Sequence, residues 1–197
     1  MKKISKFSLV LVVTLLTMNM QAGTVDFTLD VKKEQGKMVT FALNQTDKID
    51  LSIYDANDKL IHSENVSSKE NVNRTYDLKA LPEGTYFLQA ESDTKVSRYE
   101  ISVVGDMASL SGNAVSEVYK PVYLYKNGLV SVNILNLDES PVNIKIYDSE
   151  YNEVYDSAFL TGQNVTKVFD INNFLNEAYT FVVTDNDKTF VKTFSKR

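Results

Sequence analysis

His62 is the only histidine and the chain contains no cysteine, so the residues able to do nucleophilic or metal chemistry are few. Disulfides, thiolate metal sites and a cysteine nucleophile are excluded outright. A serine triad would need His62 beside a serine, with a carboxylate orienting the ring. No Gly-x-Ser-x-Gly elbow is present to supply that serine. The spacing places His62 on a strand, facing solvent opposite Ser52, with its neighbour Ile61 turned to the core. Asp55-Ala56-Asn57-Asp58 offers oxygen donors for calcium, but it lacks the glycine and the distal glutamate of an EF-hand loop. The corresponding Asp148-Ser149-Glu150-Tyr151 keeps only part of the pattern. Both read as hairpin turns. The many acids leave a glycosidase-like carboxylate pair as a third-ranked reading, a hydrolase, with no distinctive context for any of them. We therefore expect no enzyme, and no catalytic, cofactor-binding or metal-binding residues.

The aromatic residues are the remaining candidates. Tyr119, Tyr123 and Tyr125 share one face of an expected strand over 118–126, while Val118, Val122 and Leu124 share the other. A strand apolar on both faces is covered on both, here by the other half of the chain. The sharper alternative is an exposed tyrosine platform for a glycan or a protein.

The elements that carry these residues are strands, and they occur twice. Ile53-Tyr54-Asp55 recurs 93 positions later as Ile146-Tyr147-Asp148. The same ungapped shift pairs Asn71-Val72 with Asn164-Val165, Asp77 with Asp170, Tyr86 with Tyr179 and Lys95 with Lys188. Apolar positions follow that register with the two-residue alternation of half-buried strands, and β-branched and aromatic residues abound. Expected strands are 25–32, 37–44, 49–55, 59–64, 72–78, 85–91 and 97–104. Their copies fall at 118–126, 129–135, 142–148, 152–157, 165–171, 178–184 and 189–195. Seven short strands per copy predict two tandem antiparallel β-sandwiches of the immunoglobulin or fibronectin type III kind. The modules span 23–104 and 118–197, and the small, polar stretch 105–117 between them reads as a linker.

Ahead of the modules, Lys2, Lys3 and Lys6 precede an apolar run from Phe7 to about Met20 and then Gln21-Ala22-Gly23. This is the layout of a secretory signal peptide over 1–22, cleaved between Ala22 and Gly23. The run is roughly 14 residues, short of the ~20 needed to cross a bilayer. Without a cysteine there is no lipid anchor. The chain carries a formal net charge of −5, and loss of the lysine-bearing signal makes it more acidic still. That charge repels phosphate backbones, so a nucleic-acid partner is not expected.

Leu81-Pro82-Glu83-Gly84-Thr85-Tyr86 makes a turn and then opens a strand on an inward tyrosine, the arrangement of a tyrosine corner. Together with Ile53-Tyr54-Asp55, Asp77-Leu78 and the continuation Phe87-Leu88, it resembles the β-sandwich sorting domain of the type IX (Por) secretion system. The likeness covers about one module each time. The N-terminal copy carries it more fully, since the second has Glu177 in place of the glycine and Leu175 in place of the proline. Lys192, Lys196 and Arg197 suit the basic ending of that family. The resemblance implies Sec export followed by passage through a dedicated outer-membrane translocon. The expected product is a non-enzymatic binding or assembly protein in the periplasm or at the cell surface. The alternative is a small type IX cargo whose C-terminal module is the sorting domain. A protein partner or the secretion machinery is expected, with a glycan as a further ligand class. Recognition residues should lie where the copies differ, as at His62 against Tyr155.

Overall fold

The computed structural model describes residues 27–44, 48–67, 71–172, 177–185 and 188–195. The expected signal segment 1–22, with Ala22 and Gly23, lies outside the described residues, as do Leu175, Lys196 and Arg197. Among the described residues, nine strands build the first module. They are β1 (Thr28–Gln35), β2 (Met38–Asn44), β3 (Ile49–Asp55), β4 (Leu60–Val66), β5 (Val72–Asp77), β6 (Gly84–Glu91), β7 (Lys95–Val104), β8 (Met107–Leu110) and β9 (Ser116–Tyr119). Seven build the second: β10 (Val122–Lys126), β11 (Leu129–Leu135), β12 (Val142–Asp148), β13 (Glu153–Leu160), β14 (Asn164–Asp170), β15 (Ala178–Asp185) and β16 (Lys188–Ser195). Every strand pairing among the described residues is antiparallel.

Each module is a sandwich of a three-stranded sheet and a larger one. The small sheets run β1-β2-β5 and β10-β11-β14, and the large ones β4-β3-β6-β7-β8 and β13-β12-β15-β16. Inward residues alternate along each strand and merge into one core per module. Phe41 and Leu43 of β2 meet Leu51, Leu88 and Ile101 of the large sheet in the first core. Val130, Val132, Ile144 and Phe181 do the same in the second. Burying a side chain of this size contributes roughly 1.5–3 kcal/mol, so the two-residue pattern is the main source of the fold.

Two expectations are corrected here. The stretch 105–117 is not a free linker. Gly105, at φ +55°, turns the chain so that β8 pairs back along the C-terminal half of β7. Ala108 and Leu110 enter the first core, and Ala108 N and Leu110 N donate to Gly36 O and Glu34 Oε1 at 2.8 Å each. β9 then pairs with the N-terminal half of β7. The expected strand 118–126 is accordingly two strands, broken at Lys120-Pro121, where proline has no N–H to donate.

The second correction concerns His62. Pairing of β3 with β4 shifts between Ile53 and Tyr54, so that Ile53 faces His62 and Tyr54 faces Leu60. Ile61 is the extra residue of this bulge and stays 42% exposed, while His62, itself exposed, stands opposite Ile53 instead of Ser52. The second module repeats the bulge at Val154, 45% exposed, with Tyr155 turned inward.

Candidate functional site

Most residues singled out above do structural work. Asp55 Oδ1 accepts from the backbone N–H groups of Asn57 and Lys59 at 2.8 and 3.0 Å. Asp148 Oδ1 serves Glu150 and Asn152 in the same way, at 2.9 Å each. The candidate calcium oxygens thus close an Asx-type turn, with Asp58 and Tyr151 in the left-handed region at φ 59° and 62°. Tyr86 Oη donates to Pro82 O at 2.9 Å, which makes the tyrosine corner a physical link between turn and strand. Among the described residues, no group of three His, Asp or Glu stands close enough to hold a metal ion.

The tyrosine row divides. Tyr119, half-buried, belongs to β9 and pairs with Lys95. Tyr123 and Tyr125 belong to β10, where their rings approach Phe194 of the same module at 5.7 and 5.9 Å. Tyr123 also meets Phe181 edge-on at 6.3 Å. Its hydroxyl is buried without a partner among the described residues, and burial pushes its pKa up to about 12. These two rings pack within the second module. The opposite face carries Val122 and Leu124, 50% and 44% exposed.

His62 stands 5.7 Å from the Tyr76 ring in the open seam between β4 and β5. Tyr76 Oη donates to Glu64 Oε1 at 2.7 Å, and Arg74 Nε to Glu64 Oε2 at 3.2 Å. Burial and the hydrogen bond to Glu64 hold the Tyr76 phenol well above its ordinary pKa, opposed by Arg74. That phenol is therefore a donor, not a base. The equivalent seam in the second module is aromatic, with Tyr155 against Phe169 at 5.0 Å.

A different constellation forms on the outer face of the first module's large sheet. Arg98 of β7 points outward between buried Ser97 and Tyr99. Its guanidinium lies 4.0 Å over the Phe87 ring and 5.9 Å from that of Tyr54. Stacking of this kind contributes about 0.5–2 kcal/mol and fixes the plane of the group. Nη2 is ion-paired to Asp58, carried there by the left-handed turn, while the buried Nε finds no acceptor among the described residues. Lys188 of the second module reaches across to Gln89 Oε1 at 3.4 Å. Tyr54, Asp58, Gln89, Arg98 and Lys188 together line a cavity of about 200 Å3. Sequence reasoning missed this site, although the repeat held a clue. At the 93-residue shift Arg98 becomes Val191, Phe87 becomes Thr180 and Gln89 becomes Val182.

The framework residues, from the Asp55 turn through the Tyr86 corner and into β7, fall within one matched span. Residues 35–103 match the family described as the secretion system C-terminal sorting domain. The match to that sorting domain opens at the end of β1 and closes one residue before the end of β7. β8 and β9 lie beyond it. The second module, whose strands repeat the order and spacing of β1–β7, lies outside the matched residues. No curated protein matches the chain.

Solved structures similar to the chain include a biofilm associated protein BSP domain, 14% identical. That likeness covers 84% of this chain and 29% of the other, with a TM-score of 0.30. The FN1–FN3 domains of chicken CNTN1 are 10% identical, over 86% of this chain and 65% of the other, at 0.29. Native alpha-2-macroglobulin from Escherichia coli, spanning domains NIE–MG1, is 10% identical over 87% and 98%, at 0.27. The chain spans less than a third of the first of these.

Proposed function

We propose that the chain is a small cargo of type IX secretion, an exported β-sandwich protein without catalytic activity. The observation that carries this reading is the match of residues 35–103 to the sorting-domain family. The signal-peptide pattern over 1–22 supports Sec-dependent entry into the periplasm as the preceding step. The secretion machinery is then a partner, and the destination is the cell surface or the medium. Several acids are held in turns and ion pairs, as Glu64, Asp58, Asp55 and Asp148 illustrate, which favours a non-enzymatic role.

The matched residues lie in the N-terminal module. We assign the sorting signal to the C-terminal one, which repeats the strand order of the matched span and, among the described residues, leaves its last strand open. β7 has both halves of its outer edge occupied by β8 and β9, while β16 pairs only with β15 among the described residues. An unpaired edge is available to a partner strand, and an occupied one is not. The test uses the full chain, expressed in a bacterium with a type IX system and in an isogenic strain lacking the translocon. Protease accessibility on intact cells, together with assay of the medium, locates the product. The expected result is an external product in the first strain and periplasmic retention in the second. Periplasmic retention in both would overturn the proposal.

A further inference from the structure

We propose that the cavity between Arg98 and Lys188 binds a sugar acid, a monosaccharide-sized ring bearing a carboxylate, and that both modules contribute to the site. The first support is charge. The whole chain is acidic at −5, yet this cavity is lined by two cations and one carboxylate, a local reversal of sign. Asp58 occupies only one side of the Arg98 guanidinium, a group with five N–H donors. Its Nε is buried, so a ligand would be met by the Nη donors that Asp58 leaves open.

The second support is preorganisation. Phe87 holds the guanidinium flat from beneath at 4.0 Å, and Asp58 pins one end of it. A planar cation fixed in this way loses little rotamer freedom on meeting a planar carboxylate. The third support is the rest of the wall. Tyr54 offers a ring face and Gln89 an amide, and Asp58 an acceptor for hydroxyl groups, the mixture that a hydroxylated ring requires. A cavity of about 200 Å3 suits a single ring. The second module cannot form an equivalent site on its own sheet, because Val191 stands in place of Arg98 and is 63% exposed.

This proposal does not depend on the secretion route, and it is tested on the purified full chain. Isothermal titration and amide chemical shifts would be followed with D-galacturonate, with D-galactose as the neutral sugar and N-acetylglutamate as the acid without a sugar ring. The expected result is that galacturonate binds at least tenfold more tightly than either control. Arg98→Met, which keeps length without charge, should weaken that binding at least tenfold at an unchanged melting temperature, and Arg98→Lys should restore part of it. Should Arg98→Met also lower the melting temperature, Lys188→Met reads the same site from the other module and should weaken binding severalfold. Equal affinity for galactose, no measurable galacturonate binding, or binding unaffected by both Met variants would overturn the proposal. N-acetylglutamate binding as tightly as galacturonate would overturn the sugar assignment.

Discussion

The last long strands of the two modules, β7 and β16, begin at equivalent lysines and follow the same pairing with the preceding strand, but they treat their outer edges differently. β7 is covered along its length by β8 and β9, and the cover is held electrostatically. Lys95 is 7% exposed and donates from Nζ to Glu117 Oε1 at 2.8 Å, while Ser97 Oγ donates to the same oxygen at 2.8 Å. The ammonium also sits 4.7 Å over the Phe27 ring. β16 carries Lys188 and Lys192 along an edge that no described strand covers. Open edges invite intermolecular pairing, and proteins manage them either by covering them or by placing lysines on them. The first module does the former and the second the latter. One framework thus yields one module whose last long strand is covered and one whose last long strand keeps an edge available.

The largest effect expected on this comparison comes from Glu117→Ala, which leaves Lys95 buried without its counter-charge. Breaking a buried pair costs roughly 3–5 kcal/mol, and the partial exposure of Glu117 reduces this to about 2 kcal/mol. The melting temperature should fall by ~4–8 °C, and amide exchange should accelerate in β7 and β9 before it does elsewhere. Lys188→Ala should change stability by no more than about 0.5 kcal/mol. Burial alone would raise the Glu117 pKa, but hydrogen bonds from Lys95 and Ser97 and the Lys95 charge outweigh it and hold the carboxyl below its ordinary 4.5. Its stabilisation is therefore complete above that value and is lost as pH falls through the lower folded value. The penalty of Glu117→Ala should shrink in the same window, as acid-titrated melts would show.

An effect of opposite sign is expected at Asp185, 3% exposed at the end of β15, where Ser140 Oγ donates to Oδ1 at 2.8 Å. Burial raises its pKa above 3.8, opposed by that hydrogen bond and reinforced by Asp138. The folded state favours the proton, so this group's contribution is most favourable below 3.8 and declines as pH rises through the folded pKa. Asp185→Asn should stabilise the chain by about 1 kcal/mol at neutral pH and by less in acid, measured by denaturant midpoints at two pH values. A further effect concerns the tyrosines. Tyr123→Phe removes a buried hydroxyl without a partner and should stabilise by up to about 1 kcal/mol. Destabilisation would instead indicate a hydrogen bond from that hydroxyl that stabilises the fold.

Much of the framework was legible because alternation is local. Positions such as Ile53, Leu88 and Phe181 declare themselves inward by their period of two, and the corner Leu81–Tyr86 carries its own turn chemistry. Strict alternation puts Ile61 inward and His62 opposite Ser52, but a bulge shifts the register by one residue, so Ile61 is exposed and His62 faces Ile53. Nothing in the run from Leu60 to Val66 marks the extra residue, although Val154 repeats it. The Gly105-Asp106 turn is a hairpin signal, yet β8 is only four residues long and is flanked by small, polar residues that resemble those of a linker. The tyrosine row reads as one strand by its alternation, and Pro121, which cannot donate to a ladder, is what breaks it between β9 and β10.

The sequence by itself determined that this protein is built from two copies of one β-sandwich, which positions face the cores, and where the turns and the tyrosine corner fall. Those properties arise from contacts within a few residues and from a repeat that can be aligned without coordinates. Tertiary structure alone decided that residues 107–119 cover β7 and that Arg98, Phe87, Asp58 and Lys188 meet around one cavity. Pairing partners and juxtaposed faces depend on contacts between segments distant in the chain, and a two-residue period specifies which way a side chain points but not what it will meet.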